Sequence, residues 1–288
     1  PGGRCATRRT DVDPAAPWFD YGAQYFTARS DLFRRSIQAD LEAGRLANWQ
    51  PSINIAEKTG TTWLFSPSPD DRERLIGPRG LNRWVRDRFE QLPVDVQCER
   101  RVNALRGDAR QWTARFDQGG PIQATHILLT IPAVQAKALL GPAARRITAL
   151  GQATRIMSAC HTLVVEAPAI DGVEAIFFKD GALSWAADNT HKGGDTRSPH
   201  LWTLNADASY SDKHVESSAE ELADTLIDDF VQATATPREQ VRLVRGHRWR
   251  YARPGPAAGP VIRRSGFWLP GRTFFCFFKE KLKKKLPR

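Results

Sequence analysis

Methionine occurs once in these 288 residues and cysteine four times. The thiols, Cys5, Cys98, Cys160 and Cys276, lie far apart, with no Cys-x-x-Cys pair and no histidine at a ligand spacing from any of them. That excludes a zinc cluster and a dense disulfide framework, and leaves reduced thiols in a cytoplasmic protein as the simple reading, with one scattered disulfide as a second. No run of about 18 uncharged apolar residues exists, so no membrane span is expected. None of the six histidines stands beside a Ser–Asp or Cys partner in a nucleophile motif, which argues against covalent hydrolysis. Pro1-Gly2-Gly3-Arg4 lacks an initiating methionine and reads as neither signal nor transit peptide, so the chain is expected to begin inside a longer one. A Gly-x-Gly-x-x-Gly loop is also absent, and Gly255-Pro256-Ala257-Ala258-Gly259 has prolines where that loop needs free amides opening a helix.

What is present is a composition of 41% hydrophobic and 26% charged residues, ordinary for a globular chain and enough for two domains or one elaborate α/β domain. The formal net charge is +10, but it is unevenly placed. Lys279, Lys281, Lys283, Lys284, Lys285 and Arg288 against Glu280 put +5 on the last ten residues. The rest of the chain has no aromatic-interleaved basic stripe, so nucleic acid is not expected as a partner.

Four motifs carry the functional information. Gly2-Gly3-Arg4 suits a backbone that approaches a dinucleotide pyrophosphate while a guanidinium forks onto its oxygens. Asp20-Tyr21-Gly22-Ala23-Gln24-Tyr25 places two small residues where a flat ring could lie close. His126-Ile127-Leu128-Leu129-Thr130-Ile131-Pro132 and His247-Arg248-Trp249-Arg250-Tyr251 follow in order. Over about residues 1 to 270 this succession resembles renalase-like proteins, FAD-dependent oxidoreductases related to the flavin amine oxidases.

The resemblance implies an α/β, two-domain flavoprotein: a Rossmann-type FAD-binding domain whose first βαβ unit is missing, and a mostly antiparallel substrate domain. Residues 1–29, 72–150 and 251–271 would form the partial FAD-binding domain, 30–71 and 151–250 the substrate domain, and 272–288 a basic tail outside the family pattern. It implies non-covalent FAD held by Gly2, Gly3, Arg4, Gly22, Ala23, Gln24 and Tyr25, with Val102 near adenine and Thr130 and Pro132 closing over the cofactor. A cysteine attaching the flavin covalently, as in some amine oxidases, is the minor alternative. The implied activity takes a hydride from a reduced nicotinamide-type donor and gives the electrons to dioxygen, forming hydrogen peroxide. Amine oxidation, or a non-catalytic fragment unable to hold FAD, stands as the alternative.

Local patterns fill in the elements. Asp31 can cap a helix to about Leu41 with Leu32, Phe33, Ile37 and Leu41 as its stripe, and Gly80 opens another with Leu81, Trp84, Val85 and Phe89 on one face. Trp63-Leu64-Phe65 reads as a strand, and Val94-Asp95-Val96, Arg101–Leu105, Trp112–Phe116 and Ile127-Leu128-Leu129 as a meander that would return to a parallel sheet. Leu163–Glu166, Ala175–Phe178 and Leu201–Leu204 read as the antiparallel sheet, and Ser217-x-x-Glu220 as a capping box for a helix ending before Pro237. Trp185, Trp202, Trp249 and Tyr251 are candidate aromatic walls of the substrate pocket, and His247 a candidate polar contact; each has a core or structural role as its bland alternative. Gly271 is followed by Arg272 where the family has Gly-Asp, and the chain then turns to Phe and Lys. A change of reading frame accounts for both features; an amphipathic basic tail is the rival reading.

Overall fold

The computed structural model describes residues 2–12, 15–108, 110–146, 150, 157–195, 197–254, 262–264 and 267–269. Gly255–Gly259, Gly271 and the Phe- and Lys-rich tail fall outside them. The chain divides into two units, Pro1–Arg88 with Ala159–Arg250, and Phe89–Ser158 with Tyr251–Arg288.

Strands of the first unit are β1 (Thr7–Arg9), β2 (Trp18–Asp20), β3 (Ala47–Trp49), β4 (Ile53–Thr59), β5 (Thr62–Pro67) and β6 (Arg74–Ile76). After β7 (Val102–Gly107), β8 (Trp112–Phe116) and β9 (Ile122–Ala124) of the second unit come β10 (Met157–Ala167), β11 (Ala175–Phe178), β12 (Leu183–Asp188), β13 (His200–Ala206) and β14 (Arg242–Pro254). A seven-stranded sheet runs in the order β14-β10-β13-β12-β11-β4-β5. Its β4–β11 pair is parallel, and the registers of β10–β13, β13–β12, β12–β11 and β4–β5 are antiparallel.

Alternation along these strands divides the sheet into two buried faces. Leu163, Val165, Ile176, Phe178, Trp202 and Leu204 form one core with Leu226, Ile227 and Phe230. Those three lie on the helix Ala223–Thr234, at a spacing that gives one apolar face. On the other face, Val164 and Leu201 pack with Phe19 and Tyr21, and Ala175, Phe177, Trp185 and Ala187 with Tyr25 and Trp49. This second face carries the segment 18–25, and burial on both sides explains the near-continuous apolar strands.

Several local expectations need correction. Ser30, not Asp31, caps the helix Asp31–Glu42, its hydroxyl accepting from the Phe33 amide at 3.3 Å. Ile37 of that helix is buried, but Leu32 is 74% exposed, so only the lower part of the stripe packs. The helix Ala223–Thr234 has Leu222 at its N-cap and no side-chain cap; in the turn before it, Ser218 N–H donates to Glu221 (2.7 Å) and Glu221 N–H to the Ser218 hydroxyl (3.2 Å). The Glu220 carboxyl lies against Gly246, where a Cβ would meet it at 2.6 Å.

The second unit holds the antiparallel meander β7-β8-β9. Leu105, Trp112, Leu129, Ala136, Leu140 and Leu150 form its core together with the helix Ala133–Leu140. Val94-Asp95-Val96 and Ile127-Leu128-Leu129 form no strands; Val96 and Leu128 face solvent, so neither run is the continuously buried segment that an interior parallel strand requires. A separate antiparallel pair, β15 (Ile262–Arg264) with β16 (Phe267–Leu269), follows.

Candidate functional site

Two turns of the first unit meet backbone to backbone. The Ala23 amide donates to the Arg4 carbonyl at 2.7 Å, and the Tyr21 and Gly22 amides to the Ala6 carbonyl at 3.1 and 3.2 Å. A Cβ on Gly22 would stand 2.1 Å from the Arg4 oxygen, so glycine is required there by the chain's own backbone. Gly2 and Gly3 adopt φ of 114° and 53°, which favours glycine, and the space over Gly3 is open. Arg4 is half-buried, and burial lowers its pKa. The structure therefore joins Gly2–Arg4 to Gly22–Tyr25, two motifs that the sequence separates by seventeen residues.

Beneath the second turn lies a charge pair that sequence reasoning missed. Lys192 and Asp20 have wholly buried side chains, with Nζ 2.8 Å from Oδ2. Lys192 also donates to the Gln24 carbonyl at 3.3 Å and to its Oε1 at 3.4 Å, and stands over the Trp18 and Trp49 rings at 5.6 and 5.9 Å. Asp20 Oδ1 accepts from the Thr7 hydroxyl and from the Leu81 amide (3.2 Å) at the start of the helix Leu81–Glu90. Its main chain is tied to the sheet through Asn189 and Thr203, and the Gln24 side-chain amide donates to its carbonyl. Lys192 ends the short helix Asn189–Lys192, where Asp188 accepts from the Thr190 and His191 amides and pairs with His200 Nδ1 at 2.5 Å. The available signal was an Asp-Asn turn after a strand, followed by Lys-Gly-Gly.

Aromatic rings gather on either side of the turn. Tyr21 stacks on Trp249 (5.5 Å between centroids, 26°) and meets His247 edge-on at 5.2 Å; the Trp249 indole donates to the Tyr21 carbonyl at 3.0 Å. Tyr25 meets Trp185 at 5.7 Å and Trp49 at 6.1 Å, with the Arg74 guanidinium 5.3 Å from its ring. The indole N–H groups of Trp49 and Trp185 are buried without an acceptor. Of the expected walls, Trp185 and Trp249 thus flank the turn. Trp202 does not join them: it is fully buried against Phe230 in the opposite core, and its indole donates to Pro168. Tyr251 follows two residues after Trp249 on β14, half-buried. Val102, Thr130 and Pro132 lie in the second unit, half-buried at the start of β7 and just before the helix Ala133–Leu140. Sequence reasoning also missed Trp18 and Trp49, whose flanks carry no pattern.

Burial lowers the pKa of His247, reinforced by Arg245 and Arg8 and opposed by Glu220. Cys5 is buried, Cys98 exposed and Cys160 half-buried; Cys276 lies outside the described residues. No described helix is long and apolar enough to cross a membrane.

The architecture is α/β with separate sheet and helix regions, a fold also seen in solved oxidases. No family model matches the chain. Among solved structures it is similar to a proposed protoporphyrinogen oxidase from Exiguobacterium sp. 255-15 (TM-score 0.63, 13% identity, 84% of this chain and 77% of that one). It is also similar to cyclohexylamine oxidase from Brevibacterium oxydans IH-35A (0.56, 12%, 94% and 80%) and to putrescine oxidase bound to putrescine (0.55, 11%, 85% and 76%).

The open space over Gly3 and the small-residue turn with its aromatic flanks are compatible with the FAD that the resemblance implies. A phosphate-cradling Gly-x-Gly-x-x-Gly is not in the sequence.

Proposed function

We propose that the chain belongs to a renalase-like FAD-dependent oxidase, acting on a small reduced donor of the nicotinamide type with dioxygen as electron acceptor. The observation that supports this most is the junction of the Gly2–Arg4 and Gly22–Tyr25 turns between two groups of aromatic rings. Bound FAD would accept a hydride equivalent from the donor and return two electrons to dioxygen, giving hydrogen peroxide. Gly3, Arg4, Gly22, Ala23 and Gln24 would hold it. Lys192 keeps Gln24 and Asp20 in register below the turn, a positioning role. Trp185, Trp249 and Tyr25 orient the donor and exclude water. A cytoplasmic location goes with four cysteines set far apart in the sequence.

Amine oxidation is the second reading, favoured by the two amine oxidases among the similar folds. One experiment addresses both. The purified chain is titrated with FAD, then mixed anaerobically with isomers of NADH reduced away from the usual ring position, or with putrescine or cyclohexylamine. Bleaching of bound flavin by the dihydronicotinamides, with peroxide on readmission of oxygen, is the expected result. Bleaching by the amines alone would move the assignment to the second reading, and failure to retain FAD would reject both for this chain.

A further inference from the structure

His161, on β10, is fully buried and takes no part in the flavin reading. Its Nε2 lies 3.0 Å from the Ser217 carbonyl, which can only accept, so Nε2 carries the ring proton. Nδ1 then holds a bare lone pair, buried with no partner among the described residues. The Ser217 oxygen is shared: Arg248 of β14 donates to it at 3.3 Å and to the Val215 carbonyl at 2.8 Å. An imidazole and a guanidinium thus fasten one stretch of chain to β10 and β14 through a common acceptor. The stretch is tied at its flanks as well, by the Ser217 amide to the His214 carbonyl (2.9 Å) and by Glu216 to Arg250 (2.5 Å). The carboxylates of the neighbouring helix Ala208–Lys213 and its cap are engaged with backbone amides, Asp212 with Ala159 (2.7 Å) and Asp207 with Ser209 (2.8 Å) and Tyr210 (3.3 Å). Glu220 lies against Gly246, and β13 brings the uncharged Asn205 opposite Thr162. Burial, and after it Arg248 and His214, push the His161 pKa below the ordinary value, against the Ser217 hydrogen bond, which raises it.

We propose that His161 is a pH-sensitive latch: neutral, it fastens the segment 214–218 to β10 and β14, and a proton on its Nδ1 releases that segment. The added proton turns Nδ1 into a buried ionic donor with nothing to donate to, next to a guanidinium bound to the same carbonyl. Departure of the segment relieves both by letting water reach the ring. The sign follows from the lowered value in the closed form. Closure is complete above the ordinary histidine pKa of about 6.5 and is lost as pH falls below it. Arg248 stands between His247 and Trp249, whose rings meet Tyr21, so release frees the strand that flanks the candidate site. The latch needs neither FAD nor the oxidase reading.

The test is amide exchange of the full chain at about pH 7.5 and about pH 5.5, with protection in residues 214–222 compared after allowing for the intrinsic pH dependence of exchange. Protection there should fall about tenfold, the factor by which a histidine of ordinary pKa is protonated one unit below it, while β11 and β12 keep theirs. His161→Gln retains an N–H for the Ser217 carbonyl without a titrating ring, so its protection should be the same at both pH values. His214→Gln should respond as wild type does. Equal protection at both pH values in the wild type, a response unchanged in His161→Gln, or one abolished in His214→Gln would overturn the proposal. So would a loss spread evenly over β11 and β12, since that is general acid unfolding. If His161→Gln does not fold, the histidine ring resonances of the wild type decide the matter, assigned by elimination with single glutamine variants at the other histidines. The His161 ring should titrate at the midpoint where 214–222 opens, and a ring that titrates elsewhere would overturn the latch.

Discussion

At the residue scale the strongest constraint is the Lys192–Asp20 pair. Two ions out of water are stable only when their partners are complete, and here they are: three contacts from Nζ, and two further donors on Asp20 from Thr7 and Leu81. Lys192→Met should therefore cost about 3–5 kcal/mol in urea unfolding, because it leaves a buried carboxylate without its cation. The double variant Lys192→Met with Asp20→Asn should lie closer to wild type than the single one, since no uncompensated ion remains. A single variant unfolding like wild type would mean that water reaches the pair. Pattern reading could not find it, for the partners are 172 residues apart and each lies in an unremarkable local run. Gln24 and Tyr25 were legible because they sit inside one short motif whose glycine and alanine already limit what the backbone can do.

At the element scale, legibility followed how local the cause was. The strands β10, β11 and β13 showed in the sequence because burial on both faces writes itself as apolar runs. Ile127-Leu128-Leu129 carries the same signature and makes no ladder, since a strand also needs a neighbour that no local pattern specifies. The cap of the first helix moved from Asp31 to Ser30, a single-residue shift, while the helix expected after Ser217 begins at Ala223 without a side-chain cap. Gly22 shows how a correct residue can have another reason. It was read as making room for a flat ring, and the closer limit is the Arg4 carbonyl, 2.1 Å from where a Cβ would stand. Because that neighbour is backbone, Gly22→Ala should destabilise by about 1–3 kcal/mol and part the two turns. The expected reading is a lower urea midpoint together with weakened FAD binding. A variant as stable as wild type that still holds FAD would show that the junction adapts.

At the scale of the whole molecule, identities of 11–13% to solved oxidases with TM-scores of 0.55–0.63 mean that the fold is kept by patterns of burial, since few individual residues are shared. Each unit has a hydrophobic cluster of its own, around Trp202, Phe230 and the seven-stranded sheet in one and around Trp112, Leu105 and Leu140 in the other. Truncating a buried tryptophan costs about 3–5 kcal/mol wherever it lies. What differs is which cooperative unit the loss falls on. Trp202→Ala should lower the unfolding step reported by amide exchange in β10–β13, and Trp112→Ala the step reported in β7–β9. If both substitutions shift both sets of amides equally, the chain unfolds as one cooperative body, and stability differences measured anywhere in it can be assigned to the whole. If each shifts only its own set, the turn carrying Gln24 draws its stability from the sheet beneath it, and Lys192→Met should then be visible in the exchange of β12 and β13 while leaving β7–β9 untouched.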